Sequence, residues 1–285
     1  EEELVGAKVE SYAAVVELGK ASRRFYPTMY DFLARRAIEL SGQVNQDEDL
    51  NRVLARKNIS QESLFAPAEE FVKWSFTPQQ AEYGLLVLEN YRKLLSSLLQ
   101  RNMDSSVLLV ELEKSDYLRG LYYSTYIALA RPALEKLLAK WEGNEMSVEI
   151  IDKLSQFYLH EVDLTNAEDT IQRREKTGEV YELLKKTIAD FPKYERISIL
   201  QNRLSQLTQP AFTVTGAGTF PKEGDKELKV NFKNIRSLTA KLYRINSPIE
   251  MLEEKSKVRG QIAGKRVLIK EIPISLPDTP EYWHG

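Results

Sequence analysis

Apolar residues change their period once along this chain, at Gln209-Pro210. Before that point they recur every three or four positions, the spacing that lays one stripe along a helix. After it they alternate with polar residues between Gly and Pro turns, as on half-buried strands. A backbone segment can follow only one of these periods. The chain therefore divides into a helical domain over 1–209 and a β-domain over 210–285. A length of 285 residues allows a separate core for each.

Composition narrows the function classes. The 40 Lys+Arg and 42 Asp+Glu leave a formal charge of -2 with both signs interspersed. With no basic stripe to neutralise phosphates, nucleic acid is not an expected partner. The absence of Cys removes disulfides, thiolate chemistry and Cys-based zinc sites. The two His, His160 and His284, are too far apart in sequence to form a His-rich metal site, so neither metal nor cofactor is expected. No apolar run reaches the roughly 20 residues that span a bilayer. The opening Glu1-Glu2-Glu3 fits a mature chain trimmed of a leader, which allows a lipid anchor upstream.

The helical pattern opens with Leu4 to Ser22, striped by Val5, Val9, Tyr12, Val16 and Gly19. Thr28-x-x-Asp31 forms a capping-box start for the next helix, with Met29, Phe32, Leu33, Arg36 and Leu40 following and Ser41-Gly42 as the stop. Positions 43–66 are polar and weakly periodic, a loop with short helical pieces. Thr77-Pro78 looks like an N-cap opening the longest clean helix, with Tyr83, Val87, Tyr91, Leu94 and Leu98 as its stripe, widened by Leu86, Leu95 and Leu99. Asp104 and Asp116 would each cap a further helix, and Pro132 would interrupt or restart the second.

Helices are then expected over 148–161, 167–189 and 194–207, the last two joined by the corner Ala189-Asp190-Phe191-Pro192. A helix, an Asp-aromatic-Pro corner and a return helix resemble a tetratricopeptide-type hairpin with drifting spacing. Beyond Pro210, strands are expected around Phe212 and Val214, around Leu228, Val230 and Phe232, around Leu238, Ala240 and Leu242, and from Val267 to Leu276, the last as one strand or a bent strand pair around Pro273. A sandwich needs about seven strands, so four make a partial one with an exposed edge.

Few constellations could carry chemistry. Asn45-x-Asp47-x-Asp49-x-Asn51 begins like an EF-hand loop, but Leu50 stands where Gly is needed and Arg56 where the bidentate Glu belongs. Gly216-Ala217-Gly218 lacks the third Gly and the following helix of a phosphate loop. The carboxylate pairs Glu69-Glu70, Glu111 with Glu113, and Glu253-Glu254 have no sequence feature that buries them. His160 lies beside Glu161 and Asp163, the only arrangement from which a hydrolase could be built, and no nucleophile elbow accompanies it. The chain is expected not to be an enzyme. Tyr117, Tyr122, Tyr123, Tyr126 and Trp141 form the densest aromatic group, a candidate partner surface for a peptide or glycan beside the alternative of helix packing.

Several segments also resemble a known family. Tyr26-Pro27-Thr28-Met29-Tyr30-Asp31-Phe32-Leu33-Ala34-Arg35-Arg36-Ala37 is similar to the P-x-L-Y-D-F-L-A-x-R-A segment of large bacterial alpha-2-macroglobulin-like proteins. The corner Ile188 to Pro192, followed by Leu200-Gln201-Asn202, resembles the same helical region. Leu228 to Ile235 and Leu238 to Ile245 resemble the opening of that family's first macroglobulin domain. The resemblance implies an irregular tetratricopeptide-like helical-hairpin array followed by a partial macroglobulin-type β-sandwich. It further implies a scaffold or interaction region of a periplasmic or cell-envelope protein of the protease-trapping, endopeptidase-inhibitor class. Its partners would be other domains of the same longer chain, proteases or envelope proteins. Many members carry a Cys-x-Glu-Gln thioester, which this chain, having no Cys, does not contain.

Overall fold

The computed structural model describes residues 2–17, 19, 24–43, 50–79, 82–121, 123–164, 169–215, 228–245 and 266–283. Among them, helices come first and antiparallel strands last. The helices are α1 (Glu2–Gly6), α2 (Met29–Gly42), α3 (Leu50–Arg56), α4 (Gln61–Leu64), α5 (Ala68–Phe71), α6 (Tyr83–Gln100), α7 (Asp104–Leu121), α8 (Tyr123–Lys140), α9 (Ser147–Leu164), α10 (Thr170–Asp190) and α11 (Ser198–Thr208). The strands are β1 (Ala211–Thr215), β2 (Lys229–Lys233), β3 (Ser237–Ile245) and β4 (Arg266–Ser275). The change from helix to strand thus falls between Thr208 and Ala211. The chain separates into two compact units, one of Glu1–Glu161 with Phe191–Ile197 and one of Val162–Asp190 with Ser198–Gly285.

In the first unit α6 is the central helix, touching α2, α3, α5 and α7. It buries Leu85, Val87, Leu88, Tyr91, Leu94, Leu95 and Leu98. Val87, Tyr91, Leu94, Leu95 and Leu98 belong to the expected stripe, whereas Leu86 and Leu99 are only half-buried. The helix does not open at Thr77-Pro78. Phe76 is drawn into the core against Phe71, with ring centroids 5.2 Å apart, and 75–79 are outside any helix, the next one starting at Tyr83.

The expected helix over 4–22 is also corrected. Its described part is the short α1 and a 3-10 turn over Val9–Tyr12, and Lys8 bridges Thr28 as an isolated β pair. That bridge takes backbone groups a continuous helix would need. Val9 and Val16 are buried as expected, but Tyr12 is not.

The capping box at Thr28 forms as read. Its hydroxyl accepts from the Asp31 N–H at 3.2 Å and the Asp31 carboxylate accepts from the Thr28 N–H at 3.1 Å. The stripe assigned to α2 fails, however: Leu33, Arg36 and Leu40 face outward, and Asp31, Ile38 and Ser41 are buried. A helix, α7, starts at Asp104 as expected, but it runs on through Asp116, which starts no helix of its own. Asp116 instead accepts from Lys153 on α9 at 2.6 Å. Pro132 lies inside α8 without ending it, and Gly143, at φ +75°, makes the turn toward α9.

In the second unit α10 packs on α11, and Val180, Leu184 and Leu200 of these helices are buried. β1 pairs antiparallel with β2, setting Phe212 opposite Phe232 and Val214 opposite Val230. β3 pairs antiparallel with β4, with a bulge at Leu242/Tyr243 and Pro273 opposite Thr239 within one strand. Because opposed residues share a face, Leu238, Ala240, Leu242, Ile272 and Ile274 line one side of this hairpin. Positions 45–49, 216–218, 253 and 254 of the motifs discussed above lie outside the described residues.

Candidate functional site

The Thr28 cap fixes where the chain enters α2, and that entry places Phe25 and Tyr26 in the interior, Tyr26 with 6% of its surface exposed. A cleft of about 1040 Å³ opens beside it, walled by the segment around Val9 and Val16, by α2, and by α6 and α7. Three tyrosines border it: Tyr26, Tyr91 from α6 and Tyr117 from α7. The rings of Tyr91 and Tyr117 lie 6.0 Å apart at 43°, a tilted aromatic pair.

Charged groups hold the cleft's shape. Arg35 lies over the Tyr26 ring at 4.1 Å and pairs with Glu113. The combination of a cation on a ring face and a carboxylate at its edge fixes the guanidinium plane. Burial, reinforced by the Glu113 charge, pushes the hydroxyls of Tyr26 and Tyr91 above the ordinary tyrosine range. They are therefore hydrogen-bond donors at neutral pH and not anionic bases. Burial also raises Glu113, against the opposing pull of Arg35.

The Tyr26 hydroxyl is buried and makes no hydrogen bond within the protein. An enclosed donor without a partner costs of order 1–3 kcal/mol, so a cleft that leaves one standing is suited to a ligand or ordered water that accepts from it.

Of the aromatic group singled out from the sequence, Tyr117 borders this cleft. Tyr122 lies outside the described residues. Tyr123 and Tyr126 fall on α8, and their side chains lie outside them too. Trp141 is half-buried at the turn after α8 and does not line the cleft. Tyr26, Tyr91 and Arg35 do not stand out as site residues in the sequence, and Glu113 does so only as half of a carboxylate pair with no feature to bury it, which the structure corrects. One signal was there: Tyr26-Pro27 directly precedes a capping box, which puts the aromatic at the helix entry.

The other candidates are engaged structurally. Glu69 accepts from Lys140 at 2.8 Å, Glu111 accepts from the Ala68 N–H at 2.6 Å, and Glu161 pairs with Arg131. His160 is half-buried on α9. Among the described residues no group of three or more His, Asp or Glu is disposed to hold a metal, and no helix is long and apolar enough to cross a membrane. Comparison with known proteins finds no matching family model, curated protein or solved structure.

Proposed function

We propose that this chain is a non-catalytic scaffold and interaction region of an alpha-2-macroglobulin-like envelope protein of the protease-trapping class. In this reading the helices form a tetratricopeptide-like array and the strands belong to a macroglobulin-type β-sandwich. One observation carries it. The strands present apolar faces to water, with Phe212 57%, Ile272 41% and Leu242 55% exposed. Sheets that alternate apolar and polar residues are stable when a second layer covers the apolar side. Side chains in this state are what one layer of a sandwich leaves when its counterpart is not in place. The segment Tyr26 to Ala37 adds support, since the residues that carry the family resemblance also make the capping box and the Tyr26–Arg35 contact.

The test uses the longer protein to which the segment would belong, purified from the envelope fraction. Incubated with a protease, it should leave cleavage of a small peptide substrate intact while suppressing cleavage of a large protein substrate. Equal loss or equal retention of both activities would remove the reading.

A second reading rests on the unpartnered Tyr26 hydroxyl: the cleft receives a peptide whose carbonyl accepts from it. Tyr26→Phe should then weaken peptide binding about tenfold, the loss of one buried hydrogen bond, with thermal stability equal to or above the parent's. Titration calorimetry and a melting curve measure the two quantities.

A further inference from the structure

A second cavity, of about 360 Å³, lies among α5, α7 and α8. Its wall is mostly apolar, formed by Phe65, Pro67, Leu118, Leu134 and Leu137 among others. One of the basic groups that line it is buried. Lys114 is 3% exposed, its ammonium is 3.8 Å from the centre of the Phe71 ring, and it donates to the Ala66 carbonyl at 3.3 Å. A lysine has three N–H donors, so one hydrogen bond and one ring face leave this amine under-solvated. Glu111 stands three residues earlier on the same helix, on the same side of α7.

The charges around the cavity indicate what it would take. Glu62, Glu69, Glu70 and Glu111 face Lys114, Lys136 and Lys140. An anionic ligand would meet one more carboxylate than ammonium, whereas a neutral apolar molecule would meet a matched wall. The volume suits a molecule at the small end of pocket ligands.

We propose that this cavity takes up a small apolar aldehyde, which Lys114 captures as an imine with Glu111 as the proton donor. The unprotonated Nζ adds its lone pair to the carbonyl carbon as the C=O π pair moves onto oxygen, and one of the two protons on the now cationic nitrogen passes to that oxygen to give a neutral carbinolamine. Glu111 protonates the hydroxyl, water departs, and the nitrogen loses its remaining proton back to the carboxylate. The sum is amine plus aldehyde giving imine plus water, with no change of oxidation state. Lys114 reaches its reactive form easily because burial lowers it to about 8, with the Glu111 charge opposing. Burial likewise raises Glu111, against the pull of Lys114 and the Ala68 N–H, which moves it in the direction a general acid needs. The capture is stoichiometric, so it goes beyond the scaffold role without making the chain an enzyme.

The experiment treats the full chain with substoichiometric hexanal and cyanoborohydride, and maps the alkylated lysines by mass spectrometry. Lys114 should be alkylated at least about tenfold faster than the exposed Lys73 and Lys93, as one unit or more of lowered basicity dictates. Its rate should level off above pH 8. Glu111→Gln, which keeps an oxygen for the Ala68 N–H, should slow Lys114 alkylation at pH 7 at least about tenfold at unchanged helix content by circular dichroism. Alkylation of Lys114 no faster than that of Lys93 overturns the proposal, and because the mapping is done on the native sequence, no variant has to fold for that result to count.

Discussion

A carboxylate sealed from water needs its oxygens occupied by donors, and Asp31 shows how this is met. It is fully buried, accepts from the Thr28 N–H at the start of α2, and forms a two-pronged pair with Arg101 just past the end of α6. One side chain thus ties a helix start to a helix end. Asp31→Ala should cost about 3 kcal/mol or more, since it removes a cap and leaves Arg101 unpaired against the core. Urea denaturation would show it as a lower midpoint at constant slope. Two other buried charges contribute to the pH dependence in opposite senses. Burial works to raise Glu82, but the Gln79 N–H, Arg56 and Lys57 outweigh it and hold it below its usual 4.5. Its contribution is therefore full above that value and lost as pH falls through the folded value. Lys114 goes the opposite way: between about 8 and 10.5 the unfolded chain binds more protons than the folded one, so stability rises with pH across that window. Chemical denaturation at steps from pH 7 to 10 should show this rise, and Lys114→Met should flatten it.

At the scale of elements, Gly178 lies in the middle of α10, where Ala would ordinarily gain about 1 kcal/mol of helix propensity. A Cβ there would stand 2.7 Å from the Tyr282 hydroxyl, whose ring packs on Tyr181 at 4.9 Å. Tyr181 in turn donates to Glu281 at 3.1 Å. Gly178→Ala should strengthen the helix while displacing the turn at 280–283, seen as a red shift of emission assigned to the adjacent Trp283 with the other two tryptophans replaced. Adding Tyr282→Ala should restore the helix gain without strain. The same contrast marks what was legible in the sequence. Thr28-x-x-Asp31 and the strand alternation around Phe232 could be read because cap and pleat depend on neighbours within three residues. The start of α6 and the continuity of α7 could not. Phe76 is set by its packing on Phe71, and Asp116 by Lys153, a partner 37 residues away. The cleft escaped notice for that reason too, since its tyrosines come from three elements and only Tyr117 belonged to the visible cluster. In α2 the outward Leu33 and Leu40 misled because the buried face is held by a charge, Asp31, that hydrophobic spacing counts as polar.

Across the whole molecule, deep burial is unevenly shared. The first unit encloses Leu85, Leu88, Leu94, Leu95, Leu98, Leu108 and Leu118 almost completely, while the strands of the second bury only Phe232 among their described side chains. Stability follows area removed from water, so the β3–β4 hairpin should be the first described part to open, with the fastest amide exchange. If a further β-layer covers it in the longer protein, one substitution will have two different costs. Ile272→Glu on this chain places a charge on a face already in water and should change stability by less than about 0.5 kcal/mol. In the longer protein the same glutamate would be driven beneath the covering layer without a partner and should cost about 2 kcal/mol or more. Hydrogen exchange of the β3–β4 amides, compared between the two forms with and without the substitution, measures the difference directly. Equal costs in both would mean that the apolar face of Leu238, Leu242, Ile272 and Ile274 stays open to solvent, and the sandwich reading of these strands would fall with it.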